Sequence, residues 1–270
     1  MASMQENKHL AKAIGVDMDD LPDEIRESLF GKVNKKLQDE KSDREAFKAA
    51  LERCSDSDLM AYVPDVYQKN IYKIDYGKLK AKGITLISFD IDDTISDSIW
   101  NKVRANAPLL KITMPDDAKE LFSSLKDMGF TVTLLTNAHT NVAKEVCAEL
   151  RADGYIARAD KPETRNFEKM METYHVEPSQ MAHVGNSMRD DIAGGNRAGV
   201  TTCLVRRAGV SLKAAKFVMK RAGLRTKGHL IRQKLLERGL WRKHHKNIKG
   251  DQYYQLGEAP KYQNPTGLPL

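Results

Sequence analysis

Cysteine is scarce in this 270-residue chain: Cys54, Cys147 and Cys203 are odd in number and far apart. That suits neither a disulfide framework nor a zinc site, and the three read as buried or inert thiols in a reducing cytosol. Long apolar runs are also missing. None approaches the roughly 18 residues of a membrane span, and Met1 to Leu10 is polar, without the apolar region of a secretory signal. The expectation is a cytoplasmic protein with no transmembrane segment. Acid is missing from one stretch: between Arg206 and Lys249 there are 15 Lys and Arg and one acid, Glu237. Because the whole chain carries +7, the remainder is net acidic, and Met1 to Tyr62 holds 10 bases against 14 acids. What is present is the composition of a globular protein, 41% hydrophobic and 30% charged, enough for one ordinary core with appendages.

Before residue 62 the periodicity is helical. Ile25, Leu29, Val33 and Leu37 recur every four residues behind a start signal at Asp20 and Pro22. Ser42 with Glu45 forms a capping-box pattern ahead of Phe47, Leu51 and Cys54. Residues 1–62 are therefore read as an acidic helical appendage, an accessory packing element. From Gly83 onward, short apolar runs alternate with amphipathic segments. The runs Ile84 to Phe89, Thr131 to Leu135, Tyr155 to Arg158, Met181 to Val184 and Thr201 to Val205 predict strands. Helices are predicted near Asp116 to Asp127, Asn141 to Ala152, Glu163 to Tyr174 and Asp190 to Ala198. This alternation predicts an α/β fold with a parallel sheet over 63–206, whose ligands bind at the carboxyl ends of the strands.

Polar residues follow each predicted strand. After the first comes Asp90-Ile91-Asp92-Asp93-Thr94, two carboxylates one residue apart, one able to attack a phosphoryl group while the other handles the proton. Alone, the string also fits a turn with capping acids. The second strand ends in Thr136-Asn137, whose hydroxyl and amides suit phosphate oxygens at a helix start, or simply a helix cap. After the third stands Lys161-Pro162, a cation for developing phosphoryl charge or an ordinary surface lysine. The fourth ends in Gly185-Asn186-Ser187-Met188-Arg189-Asp190-Asp191, offering oxygen ligands to a hard cation or first-turn acids to a helix.

In this order, each at the end of a different strand, the four signals make the chain resemble the haloacid dehalogenase (HAD) superfamily of phosphohydrolases. The resemblance covers about Val63 to Arg206 and is nearest the YqeG-like, subclass IIIA branch, whose relatives include phosphatidylglycerophosphate phosphatases. Val63-Pro64-Asp65-Val66-Tyr67, Ile71-Tyr72-Lys73-Ile74-Asp75, Ala159-Asp160-Lys161-Pro162 and Gly194-Gly195-Asn196-Arg197-Ala198-Gly199 carry the finer likeness. It implies a capless, three-layer Rossmann-like core that hydrolyses a phosphomonoester with Mg2+. In its terms Asp90 is the nucleophile that forms an aspartyl phosphate, and Asp92 protonates the leaving group and then activates water. Thr136 and Lys161 bind and neutralise the phosphoryl oxygens, and Asn137, from its place at the strand end, is a further phosphate-binding candidate. The metal is held by Asp90, the backbone carbonyl of Asp92, and Asp191, which the five-residue spacing favours over Asp190. Asn186 stands where many members have Asp, which implies weaker metal binding.

Only 46 positions separate Asp90 from Thr136 and 25 separate Thr136 from Lys161, too few for a cap domain. Ser96 to Thr113 is read as a small flap, and the open site implies a bulky or membrane-associated phosphorylated substrate, phosphatidylglycerophosphate-like by family. Residues 207–249 are read as a basic helical extension, with Leu212, Ala215, Val218, Met219 and Ala222 on one face. Two roles stay open for it: binding a polyanion (RNA, DNA or anionic lipid) through 206–249, or docking on the acidic N-terminal helices. The first role also admits a nucleic-acid or nucleotide phosphatase, or a nucleic-acid-binding protein with a silent core. Truncation after Arg206 is expected to leave hydrolysis by the core largely intact. Residues 250–270, aperiodic and with three prolines, are read as a flexible tail.

Overall fold

Leu86-Ile87-Ser88-Phe89 is buried along its whole length, which only a central strand covered on both faces allows. In the computed structural model, which describes residues 42–96, 114–206, 227–241 and 253–258, this run is β2 of an all-parallel, six-stranded sheet. The others are β1 (Val66–Gln68), β3 (Thr131–Leu135), β4 (Gly154–Ile156), β5 (Met181–Gly185) and β6 (Thr201–Val205). Their order, β1-β6-β5-β2-β3-β4, reverses direction beside β2, which puts the crevice between chain halves at its carboxyl end.

The helices are α1 over 42–53, α2 (Asp56–Met60), α3 (Tyr76–Ala81), α4 (Asp116–Asp127), α5 (Thr140–Leu150) and α6 (Arg165–Tyr174). A π-helical turn, Met188–Ile192, runs into α7 (Ala193–Arg197), and α8 spans Lys227–Glu237. Alternate strand residues sort them into layers. Ile87, Phe89, Val132 and Leu134 pack on Phe122, Leu125, Val142 and Val146 of α4 and α5, while Leu86, Leu135 and Met181 pack on Phe167, Met170 and Met171 of α6. The result is the expected three-layer α/β core.

A further apolar cluster joins what the sequence divides. Ile231, Leu235, Leu240 and Trp241 pack with Leu51 and Leu59 of the N-terminal helices and with Met188 and Ile192 of the π-turn. Described parts of the appendage and of the basic extension thus share one apolar cluster with Tyr67 and Leu204 of the sheet. Residues 253–258 differ from the expected flexible tail. Tyr67 N–H donates to the Tyr254 carbonyl at 2.9 Å, Tyr254 N–H returns the bond at 2.8 Å, and the Tyr254 hydroxyl donates to Pro64 O at 2.9 Å. The reason is the sheet edge: β1, itself absent from the predicted strands, leaves main-chain groups for this segment to satisfy. No helix among the described residues is long and apolar enough to cross a membrane. The expected helix around Ile25 to Leu37, the flap beyond Ser96, the Leu212 to Ala222 face and the Arg242 to Lys246 cluster lie outside the described residues.

Candidate active site

Asp90 continues β2 by one residue, its N–H donating to Val184 O of β5 at 2.8 Å. The chain then turns sharply. Thr94, Ile95 and Ser96 all donate backbone N–H groups to Ile91 O, and Asp93 takes the left-handed conformation at φ 60°, which Asp tolerates better than most residues. The turn folds Thr94 back so that its hydroxyl donates to Asp90 Oδ2 at 3.1 Å.

Lys161 meets the other oxygen. Its side chain is 1% exposed, and its ammonium donates to Asp90 Oδ1 at 2.9 Å, to Asp191 Oδ1 at 2.5 Å and to Leu135 O, next to Thr136, at 2.8 Å. That uses all three of its protons. The loop carrying it is held by Asn137, whose Oδ1 accepts from Lys161 N at 2.9 Å and whose Nδ2 donates to Lys161 O at 3.2 Å. The Asn137 carboxamide is therefore committed to the lysine's backbone. Thr136 is fully buried, its Oγ1 accepting from Ala138 N at 3.1 Å.

Asp191 belongs to this cluster and Asp190 does not. Asp191 Oδ1 accepts from Lys161 and from His183 Nε2 at 3.2 Å, and Oδ2 accepts from Ser187 N at 2.8 Å. Asp190 instead accepts from the Ser187 hydroxyl at 2.8 Å and pairs with Arg189 at 3.3 Å, as a capping acid. The glycine of the motif has a plain cause: a Cβ on Gly185 would lie 2.1 Å from Asp191 Cγ. Gly194 has a similar one, since a Cβ there would meet the Phe167 ring at 3.0 Å and Pro162 Cα at 3.2 Å.

Burial pushes the Asp90 carboxyl up to about 7, and the Lys161 charge offsets only part of the rise because Asp191 shares the same lysine. Burial would raise Asp191 too, but the Lys161 ammonium and the His183 hydrogen bond outweigh it and hold this carboxyl well below the usual range. Burial opposes the charge on Lys161, yet the two carboxylates keep it firmly protonated. The site thus has one lysine for two buried carboxylates, which leaves room for a further cation.

The residues at hand fit magnesium by their chemistry. Asn186 donates its amide to the Asp92 carbonyl and to Thr94 Oγ1 at 3.0 Å. Turned about its terminal bond, the carboxamide presents oxygen at the same place, beside the Asp92 carbonyl and the Thr94 hydroxyl that bonds Asp90, a hard-oxygen set. Thr94, Ser88 and His183 escaped the sequence reading. Thr94 was visible inside its motif, whereas His183 shows only as a polar residue in the apolar run Met181-Ala182-His183-Val184.

A buried carboxylate pair bridged by lysine, at the carboxyl ends of a parallel sheet, marks an enzyme. A family model described as haloacid dehalogenase-like hydrolase matches residues 3–199, and the chain belongs to that family. Its enzyme class is phosphatase. It is similar to the probable phosphatase YqeG of Bacillus subtilis (strain 168), 28% identical over 144 residues that cover 53% of this chain and 77% of that protein. Among solved structures, a HAD hydrolase of subfamily III A from Legionella pneumophila is 16% identical, covers 58% of this chain and 92% of its own, and has a TM-score of 0.36. The 3-deoxy-D-manno-octulosonate 8-phosphate phosphatase of Moraxella catarrhalis, solved with magnesium and phosphate ions and a KDO molecule, is 14% identical over 60% of this chain and 98% of its own, at a TM-score of 0.36.

Proposed function

We propose that the chain is a magnesium-dependent phosphomonoester hydrolase that works through an aspartyl phosphate on Asp90. The observation that carries this reading is the Lys161 ammonium held between the Asp90 and Asp191 carboxylates. It favours the anionic form of a buried nucleophile and supplies a cation where a transferred phosphoryl group gathers charge. In the first step an Asp90 oxygen attacks phosphorus, the ester P–O bond breaks, and the departing alkoxide takes the proton of the Asp92 carboxyl. Asp92, now a carboxylate, then takes a proton from a water whose oxygen attacks the same phosphorus; the bond to Asp90 breaks and inorganic phosphate leaves. The Thr136 hydroxyl and the Asn137 backbone N–H, ahead of α5, bind phosphoryl oxygens, while the Asn137 side chain keeps Lys161 in place. Asp90, the Asp92 carbonyl and Asn186 or Asp191 would hold the ion, which when bound neutralises charge on the nucleophile and the phosphoryl group.

Between Thr136 and Lys161 the chain has room only for α5 and β4, with no cap domain. This supports a bulky or membrane-associated phosphate, phosphatidylglycerophosphate-like, over a small enclosed metabolite. The alternative of a nucleic-acid partner draws on the bases of 206–249. In α8 and just after it, Lys227 faces Asp43 at 2.6 Å, Lys234 faces Glu52, and Arg238 faces Asp56 at 3.3 Å, which favours docking over polyanion binding for this helix. The test is phosphate release from an aryl phosphate by the full-length protein with magnesium, followed by lipid, nucleotide and nucleic-acid-end substrates. The expected activity is abolished by chelation or by Asp90→Asn and is fastest on the lipid phosphate. Undiminished turnover by Asp90→Asn overturns the mechanism, and faster turnover of a nucleic-acid phosphate overturns the substrate choice.

A further inference from the structure

A polar residue in the middle of a buried strand needs a reason. His183 of β5 is fully buried, its ring edge-on to Phe167 with centroids 5.0 Å apart at 86°, a setting an apolar side chain would fill. Both ring nitrogens are nonetheless bonded, Nδ1 to Ser88 Oγ at 2.8 Å and Nε2 to Asp191 Oδ1 at 3.2 Å. Nε2 faces a carboxylate oxygen, which only accepts, so it carries a proton that points at Asp191, and the Ser88 hydroxyl is left to donate to Nδ1.

The contacts close a ring. Ser88 and His183 are cross-strand partners in the β2–β5 register, and Ser88 lies two residues before Asp90 on the same strand. From Asp90 the bonds run to Lys161, to Asp191, to His183, to Ser88, and the backbone of β2 returns to Asp90. Without His183, Asp191 Oδ1 would keep only the Lys161 ammonium, and the carboxylate would be held by that bond and by Ser187 N at Oδ2.

We propose that Ser88 and His183 are positioning residues: they set the orientation of the Asp191 carboxylate and, through it, where the Lys161 ammonium stands against Asp90. Their effect on turnover rests on the phosphatase reading above; the hydrogen-bonded tautomer does not. In the full-length protein, His183→Gln keeps an N–H donor on a side chain of similar reach, and His183→Leu keeps apolar volume without it. The expected result is a kcat at least about tenfold lower in His183→Leu, the scale of a small misplacement of catalytic groups, with most of the loss recovered in His183→Gln. Thermal midpoints should run the other way, Leu at or above Gln. Activity in the Leu variant equal to or above that in Gln overturns the proposal.

Nitrogen-15 histidine NMR of the wild type, with the His183 signal identified by its absence in His183→Gln, should show the Nε2–H tautomer, and Ser88→Ala should shift it toward a mixture. An Nδ1–H tautomer in the wild type overturns the ring even if the Leu variant does not fold. Asp90→Asn separates the two readings: if it is inactive while Leu and Gln are equal, the ring fails and the phosphatase mechanism stands. If Asp90→Asn stays active, that mechanism fails and the NMR result alone decides the ring.

Discussion

Two lysines in this protein each stand between two carboxylates, in opposite settings. Lys161 joins Asp90 and Asp191 where none of the three side chains is more than 10% exposed. Lys234 joins Glu52 and Glu237 with both acids about half exposed, at 51% and 50%. In the first setting two buried carboxylates compete for one ammonium, and the affinity of Asp90 for a proton is raised by that burial and by the neighbouring Asp191 charge. In the second, water solvates the acids and the pairing adds little to stability. What holds α8 in place is its apolar side, Ile231 and Leu235, with Leu240 and Trp241 just beyond. Similar residue types therefore make a competing buried cluster in one place and a solvated surface pairing in the other, and the bases counted in a sequence overstate the charge offered to a partner.

The largest effect should come from breaking the buried pair. Lys161→Met leaves two carboxylates without their cation; turnover should vanish and stability in urea should fall by about 3–5 kcal/mol. The loss should be smaller at pH 5 than at pH 8. Below about 7 the folded Asp90 takes up a proton and needs no counter-ion, whereas above it the charge is exposed to the full cost of burial. Next comes the apolar side of α8. Leu235→Ala should cost about 2–5 kcal/mol in the same measurement, and truncation after Arg206 should impair hydrolysis, because it strips Met188 and Ile192, beside Asp191, of their cover.

Asn186→Asp should have a smaller, conditional effect. In metal-free protein it replaces a donor to the Asp92 carbonyl by an acceptor and should cost about 1–3 kcal/mol. Added magnesium should then raise its melting temperature more than that of the wild type, and no greater rise would place Asn186 outside the metal shell. The smallest effect is expected from Glu52→Gln, whose carboxyl is held below its usual range by the Lys234 hydrogen bond. Its slight loss of stability should disappear in high salt, and in the wild type the same contribution, present above the ordinary glutamate value of 4.5, should fade as acid protonates Glu52. Combining it with Asp43→Asn and Asp56→Asn should release Lys227 and Arg238 and leave Lys234 to Glu237 alone, so that the triple variant binds RNA or anionic vesicles at low salt more tightly than the wild type does.

How much of this was legible in the sequence depended on distance along the chain. The long strands and their terminal motifs announce themselves locally, through apolar runs followed by Asp90, Thr136, Lys161 or Gly185, and the motif order brought three of the charged groups into one site. β1 was not visible because its three residues carry no period and no polar signature follows them, whereas β4, equally short, runs on to Lys161-Pro162. The role of Asn137 was hidden because adjacency to Thr136 says nothing about which peptide its amide will hold, and that peptide lies 24 residues on. The bond between Ser88 and His183 spans 95 residues, and the pairing of Tyr67 with Tyr254 spans more, so neither has a local signal. The charge asymmetry was plain, but charge counts do not reveal which bases have an acid opposite them.

The short pairing at β1 bears on how molecules of this protein meet one another. An open sheet ends in a strand whose outer N–H and C=O groups can template a strand from a neighbouring molecule. Here Tyr254 takes the Tyr67 positions, and Gln255 fastens the same segment by accepting from Asp75 N at 2.9 Å and donating to Lys73 O at 2.7 Å. The segment that follows the basic extension covers this edge, and a chain shortened before residue 253 should expose a strand open to pairing and self-associate more readily in light scattering.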